Sequence, residues 1–139
     1  MKIAVITIVI SFLLIAGLFN LYWSLGGKSF KKLSKVFLDL EIDSYLRQIH
    51  FFAFLTFIAF VIIILFTVGI IPYNGDLYLF KSGSIGIGFT FIARAFGDKN
   101  KFGIFKKIKD TEEAKLDSIF VTPFCFVFGI LIFSLVFLF

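Results

Sequence analysis

Few groups in this chain could do chemistry: Arg94, Asp98 and Asp117, the single histidine His50, the single cysteine Cys125, and Asn20, Tyr22 and Trp23. Arg94 and Asp98 stand four residues apart, so on a helix they share a face and can pair. Asp117 opens the last apolar run, where the positive end of a helix dipole favours a carboxylate, and Arg94 could reach it too. An arginine one turn inside a lipid-buried helix is costly unless it snorkels or finds such a carboxylate. Two readings are open. The cluster Asn20, Tyr22, Trp23, Arg94, Asp98 and Asp117 is either a structural clamp at the membrane interface or a polar mouth for a lipid-like molecule with an anionic or carbonyl head. His50 stands at a helix end without a Ser and Asp set, so it is read as a solvated or headgroup-facing imidazole rather than a catalyst. One His and one Cys make no metal site without carboxylates placed beside them, so neither metal nor cofactor is expected. The glycines Gly83, Gly86 and Gly88 follow no strand and fit no phosphate fingerprint. Cys125 cannot form an internal disulfide and reads as a small packing residue.

The elements that must position these groups are four apolar runs. Hydrophobic residues make up 60% of the 139 and mean hydropathy is +1.04, well above the roughly 45–50% apolar content of soluble domains. A water-soluble core of this size cannot hide that much apolar surface. The 23 phenylalanines are read as lipid-facing residues in an AT-rich coding sequence. The runs cover about residues 3–23, 51–71, 77–97 and 118–139, each near the roughly 20 residues that span a bilayer. A cleaved signal peptide is the rival for the first run, but it exceeds an h-region, lacks an A-x-A-like site and ends on Tyr22 and Trp23 at interface depth. Pro72, Tyr73, Asn74, Gly75 and Asp76 make a tight turn that forces the second and third helices to run antiparallel. The expectation is one all-α integral membrane domain of four transmembrane helices.

Charge sets the orientation. The segment between the first two helices carries Lys28, Lys31, Lys32, Lys35 and Arg47, and the one before the fourth carries Lys99, Lys101, Lys106, Lys107, Lys109 and Lys115. The other side has Lys2 and Lys81 alone. Basic loops stay cytoplasmic, so both termini and the tight turn are expected outside a cell membrane crossed several times. The net charge of +5 then means attraction to anionic headgroups, and nucleic acid is excluded for want of a basic face on a soluble module. Phe30, Leu33, Phe37 and Leu40, with lysines between them, predict an amphipathic interfacial helix in the first loop.

Helices in lipid pack through small residues. On the third helix Ser82, Gly86, Thr90, Ala93 and Gly97 form one stripe; on the fourth, Ser118, Thr122, Cys125 and Gly129 form another. The two stripes are expected to face each other.

Three sequence blocks resemble a known family. Asn20-Leu21-Tyr22-Trp23-Ser24-Leu25-Gly26-Gly27, then Arg94-Ala95-Phe96-Gly97-Asp98 with Phe102-Gly103-Ile104-Phe105-Lys106-Lys107, then Leu116-Asp117 with Thr122-Pro123-Phe124-Cys125, look like the signatures of the bacterial four-helix membrane proteins called the domain of unknown function 3995 family. Its members often have His where this chain has Asn20, and an aromatic-Gly pair where this chain reads Lys28-Ser29-Phe30. The resemblance implies the architecture and the same interfacial residues, and supplies no activity. The function expected is that of a non-catalytic membrane component touching lipid, another membrane protein or a second copy of itself. The alternative is a binding protein or enzyme for a lipid-like substrate, open to the cytoplasm at the Arg94 cluster.

Overall fold

The computed structural model describes residues 2–27, 45–97, 103, 104, 107 and 111–139. Regular structure among the described residues is all helical, without a strand: α1 (Lys2–Ser24), α2 (Tyr45–Thr67), α3 (Tyr78–Phe96), the short α4 (Glu112–Leu116) and α5 (Thr122–Leu138). A π-helical turn, Asp117–Val121, joins α4 to α5. Three stretches are long and apolar enough to cross a membrane: Lys2–Ser24, Arg47–Thr67 and Ala114–Leu138. α3 carries Lys81 and Arg94 among its 19 residues and is rich in Gly and Ser, so it is the least apolar of the long helices.

Two helix boundaries differ from the sequence expectation. The second helix runs from Tyr45 to Thr67 rather than 51 to 71, and the last helical stretch begins at Glu112 rather than 118. Glycine sets the first difference. Gly69 takes φ 75, and the amide of Ile70 donates to Leu65 O at 3.0 Å while Gly69 donates to Phe66 O at 3.1 Å. That paired pattern closes a helix with a left-handed residue. α1 ends the same way, with Gly26 at φ 93 and Gly27 donating to Tyr22 O at 3.0 Å. The expected interfacial helix over Phe30 to Leu40 and the residue Asp98 lie outside the described residues.

α1 packs on α2 and α3 packs on α5; contacts of α2 with α3 and of α1 with α5 join the two pairs. Val9, Leu13, Ile64, Ile132 and Leu135 are fully buried between them. Phe12 of α1 lies 4.4 Å from Phe124 and 4.3 Å from Phe128, and Phe91 lies 5.0 Å from Phe128. So part of the phenylalanine content fills the interior, whereas Phe52, Phe89, Phe120 and Phe137 face outward as expected of lipid-facing rings. At the tight turn Phe66 stacks on Phe80 at 4.4 Å, and buried Thr67 and Ser84 share a hydroxyl hydrogen bond of 2.7 Å. At the same end Lys2 and Lys81 donate to the carbonyls of Leu138 and Phe139 at 2.7 and 3.1 Å, where cations favour a helix C-terminus. The opposite end therefore holds the C-termini of α1 and α3 and the start of α2 and of the π turn.

Candidate functional site

Two buried polar clusters lie at that opposite end. The first is built on Asp117, which has no exposed surface. Arg94 near the end of α3 donates from Nη2 to Asp117 Oδ1 at 3.0 Å. The backbone amide of Gly103 donates to Oδ2 at 2.7 Å, and the hydroxyl of Thr122 donates to the same oxygen at 3.0 Å. A carboxylate removed from water is tolerable when a cation and further donors occupy its lone pairs, as here.

Pro123 explains why the helix changes register beside this group. It has no N–H for the carbonyl four residues back, and its ring crowds that carbonyl. The backbone loosens by one residue: Thr122 N–H bonds to Asp117 O across five residues. Such π turns are rare and often mark special positions in helices. The wider turn carries the Thr122 hydroxyl to the Asp117 carboxylate.

Gly103 brings the third donor. It stands at φ 87, and a Cβ there would collide with Phe96 O and lie 2.5 Å from the Gly97 Cα. Only a glycine lets the loop approach the end of α3 closely enough to aim its amide at Asp117. Gly103→Ala is expected to lower the stability of the detergent-solubilised protein by about 1–3 kcal/mol from the backbone alone, and by more once the collision is added. Gly69→Ala is the control, because Gly69 has a similar φ of 75 with open space around it. Equal losses in the two variants, measured by denaturant unfolding, would show that the close approach at Gly103 does not exist.

The second cluster joins α1 to α2. Asn20 Oδ1 lies 2.9 Å from His50 Nδ1, and Asn20 Nδ2 donates to Ala16 O at 2.8 Å. Trp23 covers the imidazole with ring centroids 5.2 Å apart. Asn20, His50 and Trp23 are 3%, 2% and 5% exposed. The expectation of a solvated or headgroup-facing His50 is thus corrected: α2 starts at Tyr45, earlier than the apolar run, and carries His50 into the α1 interface. Tyr22 is instead exposed, with its ring lying where a Cβ on Gly27 would be.

The residues expected to pack helices divide between two faces. Thr122, Cys125 and Gly129 are buried. The α3 stripe of Gly86, Thr90, Ala93 and Gly97 is exposed. The face that α3 buries is Ser84, Ile87, Gly88, Phe91 and Ala95. Gly88 and Gly129 form the close crossing: a Cβ on Gly129 would lie 2.9 Å from Gly88 O, and one on Gly88 would lie 3.3 Å from Gly129 O. The correction has a simple cause, since both faces of α3 carry small residues at helical spacing.

Three features of the site escape inspection of the sequence: the burial of His50, the amide of Gly103 as a donor, and the π turn. Pro123, standing shortly after Asp117 inside a helical run, hints at the last. The first two depend on approaches between distant segments. Among the described residues no three His, Cys, Asp or Glu side chains come together as a metal site would require.

The model of a family described as "Protein of unknown function (DUF3995)" matches residues 12–132, a stretch that includes both clusters. No curated protein and no solved structure matches the chain.

Proposed function

We propose, from the premise that this chain belongs to the DUF3995 family of proteins of unknown function, that it is a non-catalytic component of the cell membrane acting through contacts with lipid, another membrane protein or a second copy of itself. One observation carries the reading. The carboxylate best placed to serve a substrate, Asp117, is fully buried and already accepts from Arg94, Gly103 and Thr122. That is a clamp tying α3 and its following loop to the start of α5. A substrate mouth at Arg94 has less support, because Asn20 is likewise engaged by His50 and Ala16.

In this reading α3 is a fourth membrane span. Its 19 residues extend about 28 Å at 1.5 Å per residue, close to the hydrocarbon thickness. Its two cations are near its ends and directed to polar partners. The basic segments lie in the cytoplasm, and both termini with the Pro72 to Asp76 turn lie outside. Cysteine placed at Asn74 is expected to react with a membrane-impermeant maleimide on intact cells, and cysteine placed at Lys107 only after permeabilisation. The reverse pattern would invert the assigned orientation.

The functional reading is tested with the paired replacement Arg94→Met and Asp117→Leu in a strain lacking the gene. If the pair is a clamp, the apolar substitute restores whatever phenotype the deletion produces. A double variant that folds and inserts but fails to complement would move the cluster from architecture to ligand binding.

A further inference from the structure

A groove of about 560 Å³ lies between the end of α1 and the start of α2, lined by Ser24, Leu25, Arg47, Gln48, Phe51 and Phe52. We infer that it holds the headgroup of an anionic phospholipid, an assignment that rests on the membrane reading above and names one ligand for it. Arg47 is the first residue of an apolar span, Arg47–Thr67, so its guanidinium stands at the depth of lipid phosphates. It is stationed over the C-terminal turn of α1, where a Cβ on Gly26 would lie 3.2 Å from its Nη2. The side chains of Arg47 and Gln48 make no hydrogen bond or ion pair among the described residues, whereas the Ser24 hydroxyl is committed to Leu21 O at 2.7 Å. The groove thus offers a guanidinium fork and a side-chain amide, groups whose geometry matches a phosphate. Below them Phe51 and Phe52 are 46% and 65% exposed and continue along the span where an acyl chain would run. A cation at the polar end of an apolar wall is complementary to a negatively charged amphiphile. A zwitterionic lipid brings its own ammonium and gains less.

The chain's single tryptophan, Trp23, immediately precedes Ser24 and reports on the groove. Full-length protein in detergent is titrated with phosphatidylglycerol or phosphatidylcholine carrying brominated chains, and Trp23 quenching is followed. Phosphatidylglycerol is expected to half-saturate at about fivefold lower mole fraction, the effect of one basic residue near a headgroup. Arg47→Gln should abolish that difference while Lys107→Gln, exposed and outside the groove, leaves it. Equal quenching by the two lipids, or an equal loss in the Lys107 variant, would overturn the assignment in favour of diffuse surface charge. Displacement of the quenching lipid by inorganic phosphate alone would overturn it in favour of a soluble anion. If the membrane reading itself were wrong, the protein would stay in the aqueous phase without detergent and neither lipid would quench.

Discussion

Replacing Arg94 by Met is expected to lower the stability of the folded protein by about 3–5 kcal/mol, the usual loss when one partner of a buried ion pair is removed. Met keeps much of the volume of the arginine stem, so the loss reports charge rather than a cavity. Asp117, with no exposed surface, would keep its donors from Gly103 and Thr122 but lose its cation. The reciprocal change should be milder. In Asp117→Leu the guanidinium left behind is 25% exposed and can turn outward, while the Gly103 amide loses its acceptor at about 1–3 kcal/mol. The double variant should recover most of the loss, because a pair of apolar groups of similar volume replaces a buried ion pair at little cost. Denaturant unfolding in a fixed detergent, arranged as a double-mutant cycle, measures all three. Losses that simply add would mean that Arg94 and Asp117 do not act on each other.

Gly129→Ala should cost about 1–3 kcal/mol, as overpacking does in a close-packed interior. The added methyl would meet Gly88 O at 2.9 Å and the Ile92 Cγ1 at 2.5 Å. A backbone carbonyl cannot swing aside as a side-chain tip can, so α3 and α5 must move apart along the whole crossing. Gly129→Leu is expected to prevent the pairing and leave the protein aggregated in detergent. Gly86→Ala gives the contrast: nothing lies within 4 Å of a Cβ there, and alanine favours helix over glycine by up to about 1 kcal/mol. Its unfolding midpoint should stay or rise. If Gly86→Ala were instead as damaging as Gly129→Ala, α3 would be turned the other way round, with its exposed stripe at the α5 interface.

That comparison shows where the sequence was legible. Gly88 and Gly86 are two positions apart on α3 and so point to nearly opposite sides. Ser82, Gly86, Thr90 and Ala93 follow helical spacing, and so do Ser84, Gly88, Phe91 and Ala95. Periodicity identifies both stripes as faces, but small size alone does not say which one meets a neighbour. Only the position of Gly129 on α5 decides it. The α5 stripe was easier to read because the residues beside it are large and apolar, leaving Thr122, Cys125 and Gly129 as the one small face.

The sequence by itself determined that the chain is helical and that long stretches of it are apolar enough for hydrocarbon, because run length and composition act residue by residue and need no partner. It also marked the turn between α2 and α3 and the end of α1, since proline fixes φ and glycine readily takes the positive φ that ends a helix, both of them local effects. Tertiary structure supplied the contact of Arg94 with Asp117, 23 positions away, which the sequence offered only as one of two pairings, and it alone decided that the Gly103 amide joins them and that Asn20 and Trp23 enclose His50. Those pairings depend on how separate segments approach. A spacing rule sees one turn of one helix, whereas the energy of a desolvated charge is set by every donor that folding brings within about 3 Å of it.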